Sequence, residues 1–109
     1  MEILTRQALE ILATRFELLA SPTRLELIQW ICEKPRRVGE LVELTGQKQA
    51  NVSKHLGRLL RAGFVRRRTE RGEVLYSKGS EELLPLCESM RKIVLAQQHE
   101  LESRLGPGD

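Results

Sequence analysis

Nine lysines and arginines fall between Gln47 and Lys78 (Lys48, Lys54, Arg58, Arg61, Arg66, Arg67, Arg68, Arg71 and Lys78) against two acids, Glu70 and Glu73. The rest of the chain carries nine cations and thirteen acids, so an overall charge of +3 conceals one strongly basic segment. Such a concentration is the electrostatic footprint of a phosphate-binding surface. The polar side chains within it are the kind that read or grip duplex DNA. Gln47, Lys48, Gln49, Asn51 and Lys54 carry amide and ammonium groups able to pair with base edges in a major groove. Ser53 and His55 can donate to phosphate oxygens and so seat the segment on the backbone. Their plainer readings are a serine packed inside a helix and an ordinary exposed imidazole. Arg58 and Arg61 suit phosphate contact or solvation, and Arg68 and Arg71 suit a minor groove or the backbone. Arg66 and Arg67 alternate in facing, so one of the two is expected only to cover a sheet.

Other chemistry-bearing residues are sparse. Cys32 and Cys87 are the two thiols, read either as small buried hydrophobes or as a redox-sensing pair. Arg36 and Arg37 would lower the pKa of Cys32 only if the fold brings them near it. His99 and Glu102 lie one helical turn apart and are weak metal candidates; the plainer reading is a solvated pair near a helix end. There is no Gly-rich phosphate loop, no paired carboxylates in a plausible cleft and no nucleophile motif near either histidine. The chain is therefore expected to be no enzyme and to require no cofactor.

The elements that must position these groups follow from periodicity. Apolar residues from Ile3 to Ala20 recur at helical spacing, on a stripe wider than one partner requires. Ser21-Pro22 caps and opens a second helix that turns Leu25, Ile28, Ile31 and Cys32 inward and stops before Pro35. A short third helix, Val38 to Thr45, ends at Gly46. A fourth runs from about Lys48 to Ala62, with Val52, Leu56, Leu59 and Leu60 inward and Lys48, Asn51, Lys54, His55 and Arg58 outward. Gly63 stops it, and two strands within Phe64 to Lys78 meet around Glu70-Arg71-Gly72, with Arg71-Gly72 providing the turn of a five-residue loop. A long last helix, about Glu81 to Leu105, has a broad apolar face. The order is ααααββα: a mainly α domain with a small β-hairpin, a winged helix–turn–helix. Residues 1–105 read as one domain and 106–109 as a disordered tail. No apolar run approaches the length that spans a bilayer, and the N-terminus lacks the organisation of a signal peptide, which places the chain in the cytoplasm.

The segments LASPTRLELI, VGELVELTG, VSKHLGRLLRAGFV and RRRTERGEVLYS together resemble the ArsR/SmtB family of bacterial transcriptional repressors, over about Phe16 to Leu95. The resemblance implies a homodimer assembled through the first and last helices, operator binding, and release by an inducer. It assigns DNA contact to Ser53 and His55. The family's arsenic-type Cys-Val-Cys-Asp-Leu site is replaced by Arg37-Val38-Gly39-Glu40-Leu41, which has neither thiolate. Of its last-helix metal site, His99 and Glu102 supply His-x-x-Glu, but Leu86 stands where an Asp ligand belongs and Glu88 where the first His belongs, fewer donors than a closed four-ligand zinc site needs. Many relatives open the recognition helix with Ser where Gln47 stands, and Gln is the poorer cap. Some relatives sense reactive sulfur or oxidants through cysteines in the second and last helices. Cys32 lies one turn beyond the matching position, so the pairing geometry of about 4.4–6.8 Å between Cα atoms is the open question.

The expected function is a sequence-specific, DNA-binding regulator acting as a homodimeric repressor on an inverted-repeat operator. Its partners are duplex DNA and a second copy of the chain, with no membrane; thiol oxidation is favoured over a metal as the signal, and the inducer is unnamed. The alternatives are a winged-helix module for protein docking, or a DNA-binding regulator that senses nothing.

Overall fold

The computed structural model describes residues 1–79, 81 and 83–105. The expected tail at 106–109 lies outside the described residues. Five helices and one hairpin follow in the order α1 (Arg6–Leu19), α2 (Pro22–Glu33), α3 (Val38–Thr45), α4 (Gln49–Arg61), β1 (Val65–Glu70), β2 (Glu73–Lys78) and α5 (Leu83–Leu105). This is the ααααββα winged helix–turn–helix arrangement read from periodicity.

Local chemistry fixes the helix ends. The Thr5 hydroxyl accepts the Ala8 N–H at 3.2 Å, and the Ser21 hydroxyl accepts that of Arg24 at 3.3 Å ahead of Pro22. Glu40 reaches back to the Arg37 N–H at 3.2 Å, opening α3. Gly46, at φ 71°, closes α3 in the left-handed region that glycine tolerates, donating its N–H to Val42 O at 2.9 Å.

The core is small. Leu27, Ile28 and Ile31 of α2 meet Leu41 of α3, Val52, Leu56 and Leu59 of α4, and Val65 and Tyr76 of the hairpin. Leu25, expected inward, is instead 46% exposed. The buried face of α2 consists of positions 24, 27, 28 and 31, and Leu25 lies about 100° round from position 24. Position 24 is held by an arginine, which is why an apolar pattern misses that face's fourth member.

The hairpin turns at Arg71-Gly72 as expected, in a loop shorter than the five residues read from the sequence. Glu70 pairs with Glu73, so only Arg71 and Gly72 form the turn, at φ 52° and 78°. Two consecutive positive φ values are the requirement of a type I′ turn, whose twist matches the strands. The like charges of Glu70 and Glu73 face each other across the pair, and each has its own arginine: Arg68 at 3.3 Å from Glu70 and Arg37 at 3.0 Å from Glu73. Arg36 bridges to Tyr76 through reciprocal N–H···O bonds of 2.9 and 2.8 Å, tying the wing to the α2–α3 loop. The buried Arg36 side chain lies 5.5 Å from the centroid of the Trp30 ring and is paired with Glu33 and Glu40.

Helices α1 and α5 only flank this core, through partly buried Leu19 and Cys87. No residue of α1 is fully buried. Leu9, Ile11, Leu12 and Phe16 on α1, and Leu86, Met90, Ile93, Val94, Leu95, Leu101 and Leu105 on α5, are exposed. Among the described residues no helix is long and apolar enough to cross a membrane.

Candidate nucleic-acid interface

The core packing of α4 determines what it presents outward. With Val52, Leu56 and Leu59 buried, Lys48, Gln49, Ser53, Lys54 and Arg58 are exposed, and Asn51 and His55 are half-buried at the edge of that face. Ser53 is thus not packed inside the helix. The helix begins at Gln49, one residue later than periodicity suggests, so Lys48 rather than Gln47 is its N-cap. No side chain caps it there. Gln47 precedes the helix, and its Oε1 accepts from Asn51 Nδ2 at 2.8 Å, so these two amides are already engaged with each other. The first-turn N–H groups are left to water or to an anion, which combines unsatisfied donors with the positive end of the helix dipole beside exposed lysines.

In the hairpin, directly opposed residues share a face. Arg67 lies opposite the buried Tyr76, while Arg66 and Arg68 share the other face. Both Arg66 and Arg67 remain exposed, so neither is consumed in covering the sheet. Arg68 is paired with Glu70 and has to be shared or released to reach DNA; Arg71, at the tip, is exposed. Arg61 folds back so that its guanidinium lies over Gly57. Recognition-helix and wing groups therefore reside on two adjoining elements joined through Gly63 and Phe64.

His55 departs from the reading of an ordinary imidazole. Its Nδ1 lies 3.2 Å from Nη1 of Arg24, a buried residue whose guanidinium also donates to the carbonyls of Leu18 and Glu17 in the last turn of α1. Burial, and then the cations of Arg24, Lys54 and Arg58, hold the His55 pKa below its usual value. A second arginine, Arg15 of α1, donates to Ala62 O at 2.7 Å at the end of α4. As structural ties, Arg15, Arg24, Arg36 and Arg37 escape sequence reasoning. The available signal is an arginine at position 24, three and four residues before Leu27 and Ile28, on what is otherwise an apolar face.

Cys32 and Cys87 are each half-buried against the same core. Burial, followed by Cys87, raises the Cys32 pKa, and burial raises that of Cys87. Arg36 and Arg37 do not lower the Cys32 pKa. Arg36 is committed to Trp30, Glu33 and Glu40, Arg37 to Glu40 and Glu73, and the cation that opposes the rise at Cys32 is Lys78. His99 and Glu102 line a shallow groove with Leu95, Ala96 and Gln98, all from α5, so no second element brings further ligands. Among the described residues no three His, Cys, Asp or Glu side chains cluster to hold a metal.

A helix–turn–helix whose second helix presents cations and amides, flanked by a basic wing, defines a DNA-binding regulator. Residues 21–67 match the family described as bacterial regulatory protein, arsR family. Over 80 residues the chain is 34% identical to the uncharacterized HTH-type transcriptional regulator Rv0081 of Mycobacterium tuberculosis, covering 72% of this chain and 70% of that one. The crystal structure of Rv0081 superposes with a TM-score of 0.78 at 29% identity, over 94% of this chain and 100% of that one. A probable mercury resistance operon repressor of Streptomyces lividans is 39% identical over 71 residues, 65% of this chain and 57% of its own length. The homodimeric winged helix-turn-helix DNA-binding domain of Mb0332 from Mycobacterium bovis matches with a TM-score of 0.73 at 25% identity, over 91% of this chain and 93% of that one. The chain belongs to the arsR family. It is a DNA-binding transcriptional regulator and not an enzyme.

Proposed function

We propose that this regulator is a cytoplasmic homodimeric repressor that occupies an inverted-repeat operator and leaves it on a signal received between α2 and α5. The observation that carries the reading is the surplus of cations between Gln47 and Lys78, distributed on the outward side of α4 and on the wing. The exposed apolar faces of α1 and α5 support a second copy of the chain as partner, and Mb0332 and the Streptomyces repressor supply the precedents of homodimer and repressor. In a two-fold dimer, two recognition helices enter successive major grooves about one helical turn apart. Gln47, Lys48, Gln49, Asn51 and Lys54 then face base edges, Ser53, His55 and Arg58 the phosphates, and Arg68 and Arg71 the flanking backbone or minor groove.

Cys32 and Cys87 are the proposed receivers of the signal. Each thiol loses one proton and one electron to a disulfide-forming oxidant, and the new S–S bond draws α2 toward α5. The raised thiol pKa values favour a second reading, in which the cysteines only pack and the regulator senses no oxidant, because a protonated thiol reacts slowly. Fluorescence anisotropy decides between them, using duplex DNA from upstream of the protein's own gene and reduced or oxidised protein. Loss of binding on oxidation, resisted by Cys32→Ser and Cys87→Ser, establishes the thiol switch; equal binding by both forms establishes the second reading. Absence of salt-sensitive duplex binding in either form rejects the assignment of the DNA-contacting residues.

A further inference from the structure

Arg24 is the residue through which three helices meet. Its backbone lies in the first turn of α2, its Nε and Nη2 donate to the last-turn carbonyls of Leu18 and Glu17 in α1, and its Nη1 lies 3.2 Å from Nδ1 of His55 in α4. The side chain is buried, and a guanidinium keeps its proton at any pH a protein survives. It can only donate. His55 Nδ1 must then present a lone pair, and the neutral ring must carry its proton on Nε2. Among the described residues Nε2 has no protein partner, and the only buried side-chain donor or acceptor left unsatisfied is the indole N–H of Trp30. Among the described residues, the Nε2–H of His55 is therefore left to an outside acceptor.

We infer that Arg24 is a positioning residue for DNA binding: by donating to Nδ1 it holds His55 in the Nε2–H tautomer, aligned to offer that proton to a phosphate oxygen. The inference rests on the reading of His55 as a DNA contact. The charged groups acting on the ring are Arg24 from α2 and Lys54 and Arg58 from α4, all cations, while α1 contributes carbonyls that Arg24 already occupies. All three cations favour the neutral ring. Protonation would set an N–H against the Nη1 donor of Arg24, and the pair would part. Because the same guanidinium caps α1, a displacement of α1 moves the group that orients His55.

The test is a long-range proton–nitrogen correlation spectrum of the full chain labelled with 15N-histidine. There are two histidines, so His99→Gln assigns the signals. The expected result is a bare Nδ1 and a protonated Nε2 at His55, with the ring staying neutral below the ordinary imidazole value of about 6.5. Arg24→Lys keeps the charge but not the fork; it is expected to convert His55 to a mixture of tautomers and to weaken binding to the upstream duplex by roughly tenfold. In a His55→Ala background the same Arg24→Lys change is expected to cost less than about twofold, since its effect runs through the ring. A proton on Nδ1 in the wild-type spectrum, or an equal loss from Arg24→Lys in both backgrounds, overturns the inference. The predicted tautomer together with undiminished DNA binding by His55→Ala overturns instead the reading of His55 as a contact.

Discussion

Gly79 and Gly39 provide a paired substitution with opposite expected signs. Gly79 leaves β2 and is buried against the turn that ends α4. A Cβ placed on it would lie 2.2 Å from Gly63 O, 3.0 Å from Phe64 C and 3.1 Å from Gly63 C. All three are backbone atoms, so no side chain can swing aside. Nor can the turn retreat freely: Gly63 sits at φ 81°, its N–H donates to Leu60 O at 3.1 Å, and the Phe64 N–H donates to Leu59 O at 3.0 Å. Relieving the clash in Gly79→Ala requires a separation that breaks the Gly79 N–H···O bond to Phe64, now 3.0 Å. Breaking one hydrogen bond and leaving its donor in a buried site costs about 1–3 kcal/mol, and the accompanying backbone shift brings the total to roughly 2–4 kcal/mol. Gly39, inside α3, has nothing within 4 Å of the place where an alanine methyl would sit, so Gly39→Ala is expected to stabilise by about 0.5–1 kcal/mol. Urea denaturation at one fixed protomer concentration reads both, the fixed concentration removing any contribution from association. A Gly79→Ala protein with the wild-type midpoint would show that the wing exit does not bear on the end of the recognition helix, and would refute the reasoning.

Arg58→Ala and Arg71→Ala are each expected to weaken binding to all duplex sequences alike and to flatten the log–log salt dependence by about 0.9 for each phosphate no longer neutralised; anisotropy titrations over a salt series measure the slope. Because the folded His55 binds its proton more weakly than the unfolded chain does, its contribution is complete above pH 6.5 and is lost as pH falls through the folded midpoint. Glu40, whose carboxyl is lowered chiefly by the Arg37 N–H, adds a separate loss as pH falls below 4.5, and thermal melts of wild type and His55→Gln should differ only in the upper step. Arg71 occupies a left-handed conformation at φ 52°, so Arg71→Asn should stabilise the hairpin by about 0.5–1 kcal/mol while weakening DNA binding, a trade visible by combining melts with anisotropy.

What is legible in the sequence is what periodicity and punctuation encode. Pro22 after Ser21, Gly46 after Thr45 and the Val52/Leu56/Leu59 repeat each specify a local conformation by themselves, and the outward side of α4 follows from them. Periodicity starts α4 one residue early because Gln47 bonds to Asn51 instead of capping, a pairing visible only once the chain turns. Position 24 escapes a pattern reading for a different reason. An arginine there is buried because it closes the end of α1 and meets His55, and neither partner is within one turn of it in sequence. The turn at Arg71-Gly72 is legible from its glycine, but the loop reads too long because Arg71 gives no sign of accepting a positive φ. The wing residue Glu73, beside that turn, is held by Arg37, from a loop more than thirty residues earlier.

The surface of the chain bears on why its recognition helix is tied to α1 at all. A compact monomer of 12.5 kDa is expected to expose roughly 6,200 Å², whereas this chain exposes 8401 Å². Its radius of gyration is 16.8 Å, against about 13 Å for a compact domain of this length. The excess of roughly 2,000 Å² is of the size each partner contributes to an obligate homodimer interface, and the exposed apolar residues that would account for it lie on α1 and α5. Those helices add nothing to the fully buried core among the described residues. In the proposed dimer they find their burial in the second copy, and α1 becomes part of the rigid centre of the assembly. Arg24 then fixes the middle of α4 to that centre through His55, and Arg15 fixes its end through Ala62 O. The separation of the two recognition helices is on this view set by two arginines per protomer. A change at the α2–α5 contact would alter operator affinity through these ties, without displacing any residue that touches DNA.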